Sequence, residues 1–243
     1  MRFRINWFQP LSSGLALGLF VAAIPMFGPW QGKGSGLADM EVVNGKAETV
    51  TYRGRRAVHL IPSPDHQGPE DAIIAILSRS DFGDGIIEAE LAGAPRSGTP
   101  EDSRGFIGIS FHVQPHGSRF ENIYLRPTNG RADDQLRRNH SVQYTSEPDF
   151  PWYRLRKDNP GVYESYVDLE PGAWTKVKIA VSGTTAQLYI HDATQPCLIV
   201  KDLKLGQTRG QIAFWAHSTT DAYFLNLRVR EAKRSAQLAG SRD

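Results

Sequence analysis

From Asp39 to Val229 the chain runs as a succession of short segments in which apolar and polar residues alternate. Alternation with a period of two is the signature of a strand with one buried face. Residues 105–113 show it clearly: Ile107, Ile109, Phe111 and Val113 fall on one side, and Phe106, Gly108, Ser110 and His112 on the other. Residues 82–92 set Ile87, Ala89 and Leu91 against Ile86, Glu88 and Glu90. Residues 174–181 set Thr175, Val177, Ile179 and Val181 against Lys176 and Lys178, and the turn at Ser182-Gly183-Thr184-Thr185 leads into a returning strand over 186–191. Further strands are expected over 57–61, 120–126, 141–145, 162–169, 197–200, 210–216 and 222–229, with 72–77 either a strand or a single helical turn. No segment after Asp39 keeps a 3.6-residue period over ten or more positions. These patterns predict an all-β chain, a two-sheet antiparallel sandwich or barrel, with one domain over residues 39–230. With 40% apolar residues, the chain has enough material for one large core.

The first 38 residues read differently. Arg2 and Arg4 precede an uncharged, apolar stretch over 11–27, closed by Pro25 and Pro29. Gly36 and Ala38 are small residues suited to cleavage before Asp39. Residues 1–38 are therefore expected to be a cleaved signal peptide, with an uncleaved N-terminal anchor and an ordinary buried helix as the alternatives. Residues 231–243 are polar and basic and are expected to be a flexible tail. Removing the three basic residues before Asp39 leaves 25 basic against 26 acidic residues. Such a balance provides no broad field for nucleic acid. Contact with a membrane is expected only through the N-terminal segment, if it is retained. Localisation is thus expected to be periplasmic, at the cell surface, or extracellular. The single cysteine, Cys197, excludes an internal disulfide and is read as a small buried hydrophobe.

Two long irregular insertions, 127–140 and 146–161, interrupt the strands. Insertions of that length in a β domain are usually functional or mobile. They lie in the part of the chain richest in aromatic and polar side chains, 121–166. Tyr124 and Arg126 alternate onto one face, and Trp152, Arg154 and Arg156 share a face if their segment is extended. Flat rings cover the C–H side of a sugar, while Arg, Asn and Gln bond its hydroxyls or carboxylates. Tyr124, Arg126, Arg137, Asn139, Trp152, Arg154 and Glu164 are the expected ligand-binding residues. The competing reading is that these groups merely satisfy acids and carbonyls in long loops. Glu88 and Glu90, two residues apart on a strand, are the most enzyme-like pair, with Glu121 and Glu164 as rival carboxylates. The same Glu-Ala-Glu pattern also suits the solvent face of a sheet. Histidines lack metal-ligand spacing, Asp133-Asp134 is a weak calcium signal, and neither metal nor cofactor is expected. Trp215 and His217 share a face that is either core or groove.

The order of three segments, Phe82-Gly83-Asp84-Gly85-Ile86-Ile87-Glu88-Ala89-Glu90-Leu91, Gly105-Phe106-Ile107-Gly108-Ile109-Ser110-Phe111 and Pro171-Gly172-Ala173-Trp174-Thr175-Lys176-Val177-Lys178-Ile179, resembles the concanavalin A-like lectin/glucanase jelly roll. Gly210-Gln211-Ile212-Ala213-Phe214-Trp215 and the closing Tyr223-Phe224-Leu225-Asn226-Leu227-Arg228-Val229 extend the resemblance to the laminin-G-like and 3-keto-disaccharide hydrolase-like branches. It covers roughly residues 82–229. The glucanase Glu-x-Asp-x-Glu strand motif is missing, so no catalytic residue is carried over. The resemblance implies a jelly-roll sandwich that binds a carbohydrate or glycan in the groove of its concave sheet. A glycoside-cleaving enzyme, hydrolase or lyase, on a keto-sugar glycoside for instance, is the second reading. An envelope protein-interaction domain with a flat apolar surface is the third.

Overall fold

The computed structural model describes residues 37–66 and 71–232. Residues 1–36 of the expected export segment (1–38) and residues 233–243 of the expected tail (231–243) lie outside these described residues. Among them the chain forms fourteen strands: β1 (Met40–Val43), β2 (Gly45–Tyr52), β3 (Arg55–Pro62), β4 (Ala72–Leu77), β5 (Gly85–Pro95), β6 (Ile107–Val113) and β7 (Phe120–Leu125), then β8 (Val142–Glu147), β9 (Glu164–Ser165), β10 (Thr175–Ser182), β11 (Thr185–Ile190), β12 (Leu198–Val200), β13 (Gln211–His217) and β14 (Thr220–Glu231). Two short helices, α1 (Gln135–Arg138) and α2 (Trp152–Asp158), lie within the two long insertions.

The strands make two antiparallel seven-stranded sheets. The first has the order β1-β4-β13-β6-β7-β8-β9 and the second β12-β11-β10-β5-β14-β3-β2. Strands adjacent in sequence separate into different sheets, as at β5 and β6, which is the crossing pattern of a jelly-roll sandwich. The alternation read from the sequence sets the layers. Ile107, Ile109, Ile123, Leu125, Ile212 and Phe214 of the first sheet meet Ile87, Leu91, Val177, Ile179, Ala222 and Phe224 of the second in one core. Phe214 and Phe224 stack at 4.5 Å between ring centroids. Each of the larger side chains contributes about 2 kcal/mol by leaving water.

Four expectations are corrected. Val113 does not share the core face of Ile107, Ile109 and Phe111; it packs in a smaller cluster with Ile74, Ile76 and Phe120. The cause is a bulge: the pairing of β6 with β13 shifts between Gln211 and Ala213, and His112 adopts a positive φ of 52°. His112 is consequently buried, with Nε2 3.0 Å from the Gly83 carbonyl oxygen, and no longer shares a face with Ser110. Second, 162–169 contains only the two-residue strand β9. Third, Trp152, Tyr153, Arg154, Leu155 and Arg156 are helical, not extended. Leu155 anchors that helix in the core, being 1% exposed. Fourth, β14 stays paired as far as Glu231, which lies opposite Gly85, so the start of the expected tail is part of the sheet.

Candidate functional site

The outward side of the first sheet carries one continuous row of residues in register. Ile74 lies opposite Trp215, Trp215 opposite Gly108, Gly108 opposite Tyr124, Tyr124 opposite Gln143, and Gln143 opposite Glu164. Gly108 is required here. A Cβ at this position would sit 2.5 Å from the Ile123 carbonyl oxygen and 2.6 Å from Tyr124 Cβ. Its absence lets the Tyr124 and Trp215 rings approach across it, to 5.0 Å between centroids. Phe106 continues the aromatic surface, 5.8 Å from Tyr124 and 5.4 Å from His217.

Arg126 emerges at the end of β7 and lies over these rings, 5.3 Å from the Tyr124 centroid and 5.8 Å from those of Phe106 and Trp152. Its guanidinium donates to Tyr124 Oη at 3.0 Å, to Gln143 Oε1 at 3.2 Å and to the His140 carbonyl at 3.2 Å. Glu164 is the acid of this network, its side chain only 3% exposed. It accepts two parallel bonds from Arg156, at 2.9 and 2.7 Å. His140 Nδ1 lies 2.6 Å and Arg126 Nη1 3.6 Å from its Oε2. Burial alone would raise the Glu164 pKa, but the Arg156 bonds and the His140 and Arg126 charges hold it below the ordinary carboxylate value. Burial lowers the His140 pKa, with Arg156 and Arg126 acting in the same direction and Glu164 against them.

Tyr124, Arg126, Gln143 and Glu164 are buried and mutually satisfied, so they form the base of the site. Surface left for a ligand belongs to Trp152, which is 39% exposed, and to the half-buried Phe106, Trp215, His217, Arg104, Arg137 and Arg156. Trp152 and Arg156 sit one turn apart on α2, with the Arg156 guanidinium 4.8 Å from the Trp152 ring. One register row away, Asn122 lies opposite both Ser110 and Thr145. Asn122 Nδ2 and Thr145 Oγ1 are buried without a hydrogen-bond partner among the described residues.

Of the residues singled out from the sequence, the structure brings Tyr124, Arg126, Trp152 and Glu164 together. Arg137 lies beside them, donating to Asn129 Oδ1 at 3.0 Å and Thr128 Oγ1 at 3.1 Å. Asn139 is exposed and accepts a bond from Gln135 at 2.8 Å. Arg154 occupies another side of α2, where it bonds the Asp149 carbonyl at 2.6 Å and covers Phe150 at 4.5 Å. Glu121 points into the sandwich. It accepts from Tyr144 Oη at 2.7 Å and from the Leu205 amide at 2.7 Å, and burial raises its pKa. Glu88 and Glu90 lie on the outward side of the other sheet, in a shallow cleft of about 390 Å3 with Lys176, Lys178, Tyr189 and Asn226. Glu90 is held by Arg55 at 2.8 Å and Asn226 at 2.7 Å, and Glu88 by Arg230 at 3.0 Å. Carboxylates tied in this way are poor acids and poor nucleophiles.

Sequence reasoning placed Gln143 in the 121–166 cluster without choosing it as a ligand-binding residue, did not pick Phe106 or Arg104, and left Trp215 undecided between core and groove. Alternation of 106 with Ile107 and of 143 with Val142 was the available signal. Burial pushes the Cys197 thiol up to about 11, and its Sγ donates to the Leu188 carbonyl. Among the described residues no group of three or more His, Cys, Asp or Glu side chains is placed to hold a metal ion.

No family model and no curated protein matches the sequence. Solved structures do match the fold. A carbohydrate binding module, CBM66 from Bacillus subtilis, superposes with a TM-score of 0.54 at 12% identity, over 79% of this chain and 96% of that one. A protein of unknown function with a galectin-like fold, from Bacillus subtilis, gives 0.54 at 13% identity over 86% and 98%. A sialidase gives 0.50 at 12% identity, matching 86% of this chain but 18% of that one. At such identities these likenesses establish the shared lectin-like β-sandwich fold.

Proposed function

We propose that this chain is an exported carbohydrate-recognising domain that holds a glycan on the outward side of its first sheet, between Trp152 of α2 and the Phe106–Trp215 aromatic surface. The observation that carries this reading is the register row from Trp215 to Glu164. It sets partly exposed rings beside hydrogen-bonding groups that are already oriented by their neighbours. Sugars need that combination, because their ring faces are apolar and their edges are hydroxyls. Asn122 Nδ2 and Thr145 Oγ1, buried and unpartnered among the described residues, are a donor and a donor–acceptor suited to hydroxyls or bridging water. The fold likeness to a carbohydrate binding module supports the same reading. Export rests on the composition of residues 1–38.

Glu164 speaks for binding over bond cleavage, since its two oxygens are engaged by Arg156, His140 and Arg126. Titration of the full chain against a panel of neutral and acidic oligosaccharides tests the proposal. Binding is expected, and Trp152→Ala is expected to weaken it about tenfold through loss of ring stacking. Trp152 is partly exposed, so its melting temperature should change little. Failure of every glycan to bind would contradict the proposal.

A further inference from the structure

Where Arg126 leaves β7, Thr128 and Asn129 tie the backbone of Arg104 to the side chains of Arg126 and Arg137, and the Arg104 guanidinium is near enough to feel the charges of both. The Arg104 carbonyl accepts from the Thr128 amide at 3.3 Å and from Thr128 Oγ1 at 3.5 Å. That same hydroxyl receives Arg137 Nη2 at 3.1 Å, while Arg137 Nε donates to Asn129 Oδ1 at 3.0 Å. Asn129 Nδ2 in turn donates to the His140 carbonyl at 3.0 Å, the acceptor that Arg126 Nη1 also uses.

The charges of this trio are not balanced. Glu164 is shared by Arg156 and Arg126, one carboxylate against two guanidinium groups. The Arg137 guanidinium reaches only neutral oxygens, with no carboxylate at ion-pair distance among the described residues, although its backbone amide donates to Asp134 Oδ1 at 2.9 Å. The Arg104 guanidinium is half-buried and makes neither a hydrogen bond nor an ion pair among them. Only Asp102, itself exposed, attracts it at longer range. Burial, followed by repulsion from Arg137, lowers the Arg104 pKa. Gathering cations in a half-buried place without an acid costs stability, and folds tolerate that cost chiefly at functional sites. Two forked donors that lack an acidic partner, beside an aromatic wall, suit a planar or tetrahedral anion.

We propose that Arg104 and Arg137 form an anion subsite at this end of the aromatic surface, which takes the carboxylate or sulfate of an acidic saccharide whose ring lies against Phe106. This inference rests on the glycan reading of that surface and specifies the class of glycan. The subsite selects acidic over neutral chains and contributes to the rate and salt sensitivity of capture.

The test uses the full chain and matched pairs of immobilised glycans. Each acidic member (uronate-containing, sialylated or sulfated) is paired with its methyl-esterified or desulfated counterpart. The acidic member is expected to bind about tenfold more tightly, with the preference shrinking as salt rises. Preference among esterifiable pairs assigns the carboxylate, and preference among sulfated pairs assigns the sulfate. Arg104→Gln should bring the two members of each pair within about twofold, by weakening the acidic member. The melting temperature of Arg104→Gln should equal or exceed that of the parent, because repulsion is removed. A merely structural Arg104 would instead lower it. Neutral members binding as tightly as acidic ones, or a preference that survives Arg104→Gln, would overturn the anion subsite and leave the glycan reading standing. Binding to no member of any pair would overturn the glycan reading, and this inference with it.

Discussion

The two outward sides of the sandwich use similar residue types to opposite ends. On the second sheet, Glu88 and Glu90 alternate with cations across strands. Lys178 lies opposite Glu88, Lys176 opposite Glu90, and Arg228 opposite Glu88 from the other side. Opposite charges face each other in register, and both acids are paired, Glu88 with Arg230 and Glu90 with Arg55. On the first sheet, aromatic rings occupy the row, one buried acid serves several cations, and Arg104 and Arg137 are left without an acid. A balanced lattice of charges keeps a sheet soluble and directs its edges. An unbalanced one, walled by rings, is a place for a ligand. Carboxylates close together along a strand are therefore a weaker indication of chemistry than cations left without partners.

Removing the shared acid should have the largest effect. Glu164→Ala leaves Arg126 and Arg156 unpaired at a site where the Glu164 and Arg126 side chains are 3% and 6% exposed. A loss of about 3–5 kcal/mol is expected in urea unfolding. A loss below about 1 kcal/mol would show that this network does not organise the site.

Acidification weakens the same network by a smaller and graded amount. The folded pKa of Glu164 lies below 4.5, so its contribution is complete above that pH and disappears as pH falls through the folded value. The folded pKa of His140 lies below 6.5; the folded state therefore resists protonation, and its contribution is likewise lost on acidification below 6.5. Stability should decline as pH falls below 6.5 and again as it falls below 4.5, and Glu164→Gln should flatten the second part of that decline. A wild-type profile that is flat across this window would contradict the assignment.

The smallest effect belongs to the other side of the molecule. Glu90→Gln keeps the shape and one acceptor of a side chain held by Arg55 and Asn226. It should cost about 1 kcal/mol and leave glycan affinity unchanged. A tenfold loss of affinity would move the binding surface to the second sheet.

Period-two patterning was enough to place most strands and the buried face of several, because burial on one side leaves a direct mark on composition. It gave Ile87, Ala89 and Leu91 to the core and Glu88 and Glu90 to solvent, as the structure has them. Patterning failed where tertiary contacts overrode it. A seven-residue helix is too short to display its period, and α2 is set by Leu155 reaching into the core. As a result Trp152 pairs with Arg156, while Arg154 turns away. Glu121 belongs by alternation to the core side of β7, a position a carboxylate accepts only because Tyr144 and the Leu205 amide meet it there. Both partners are distant in sequence. The bulge at His112 follows from a residue count between two strands, which no single strand reveals. The Arg104–Arg137 pairing is hidden for the same reason, since Thr128 joins segments that composition treats as separate loops.

The most direct test distinguishes the two outward sides by their tryptophans. Trp152 and Trp215 lie on the first sheet's side, and Trp174 lies beside Tyr52 and under Arg55 on the second. Nitrogen-15-labelled full chain, titrated with a saccharide that binds, is expected to show shifts of the Trp152 and Trp215 indole N–H resonances while Trp174 stays in place. Movement of Trp174 with Trp152 and Trp215 unchanged would contradict the account.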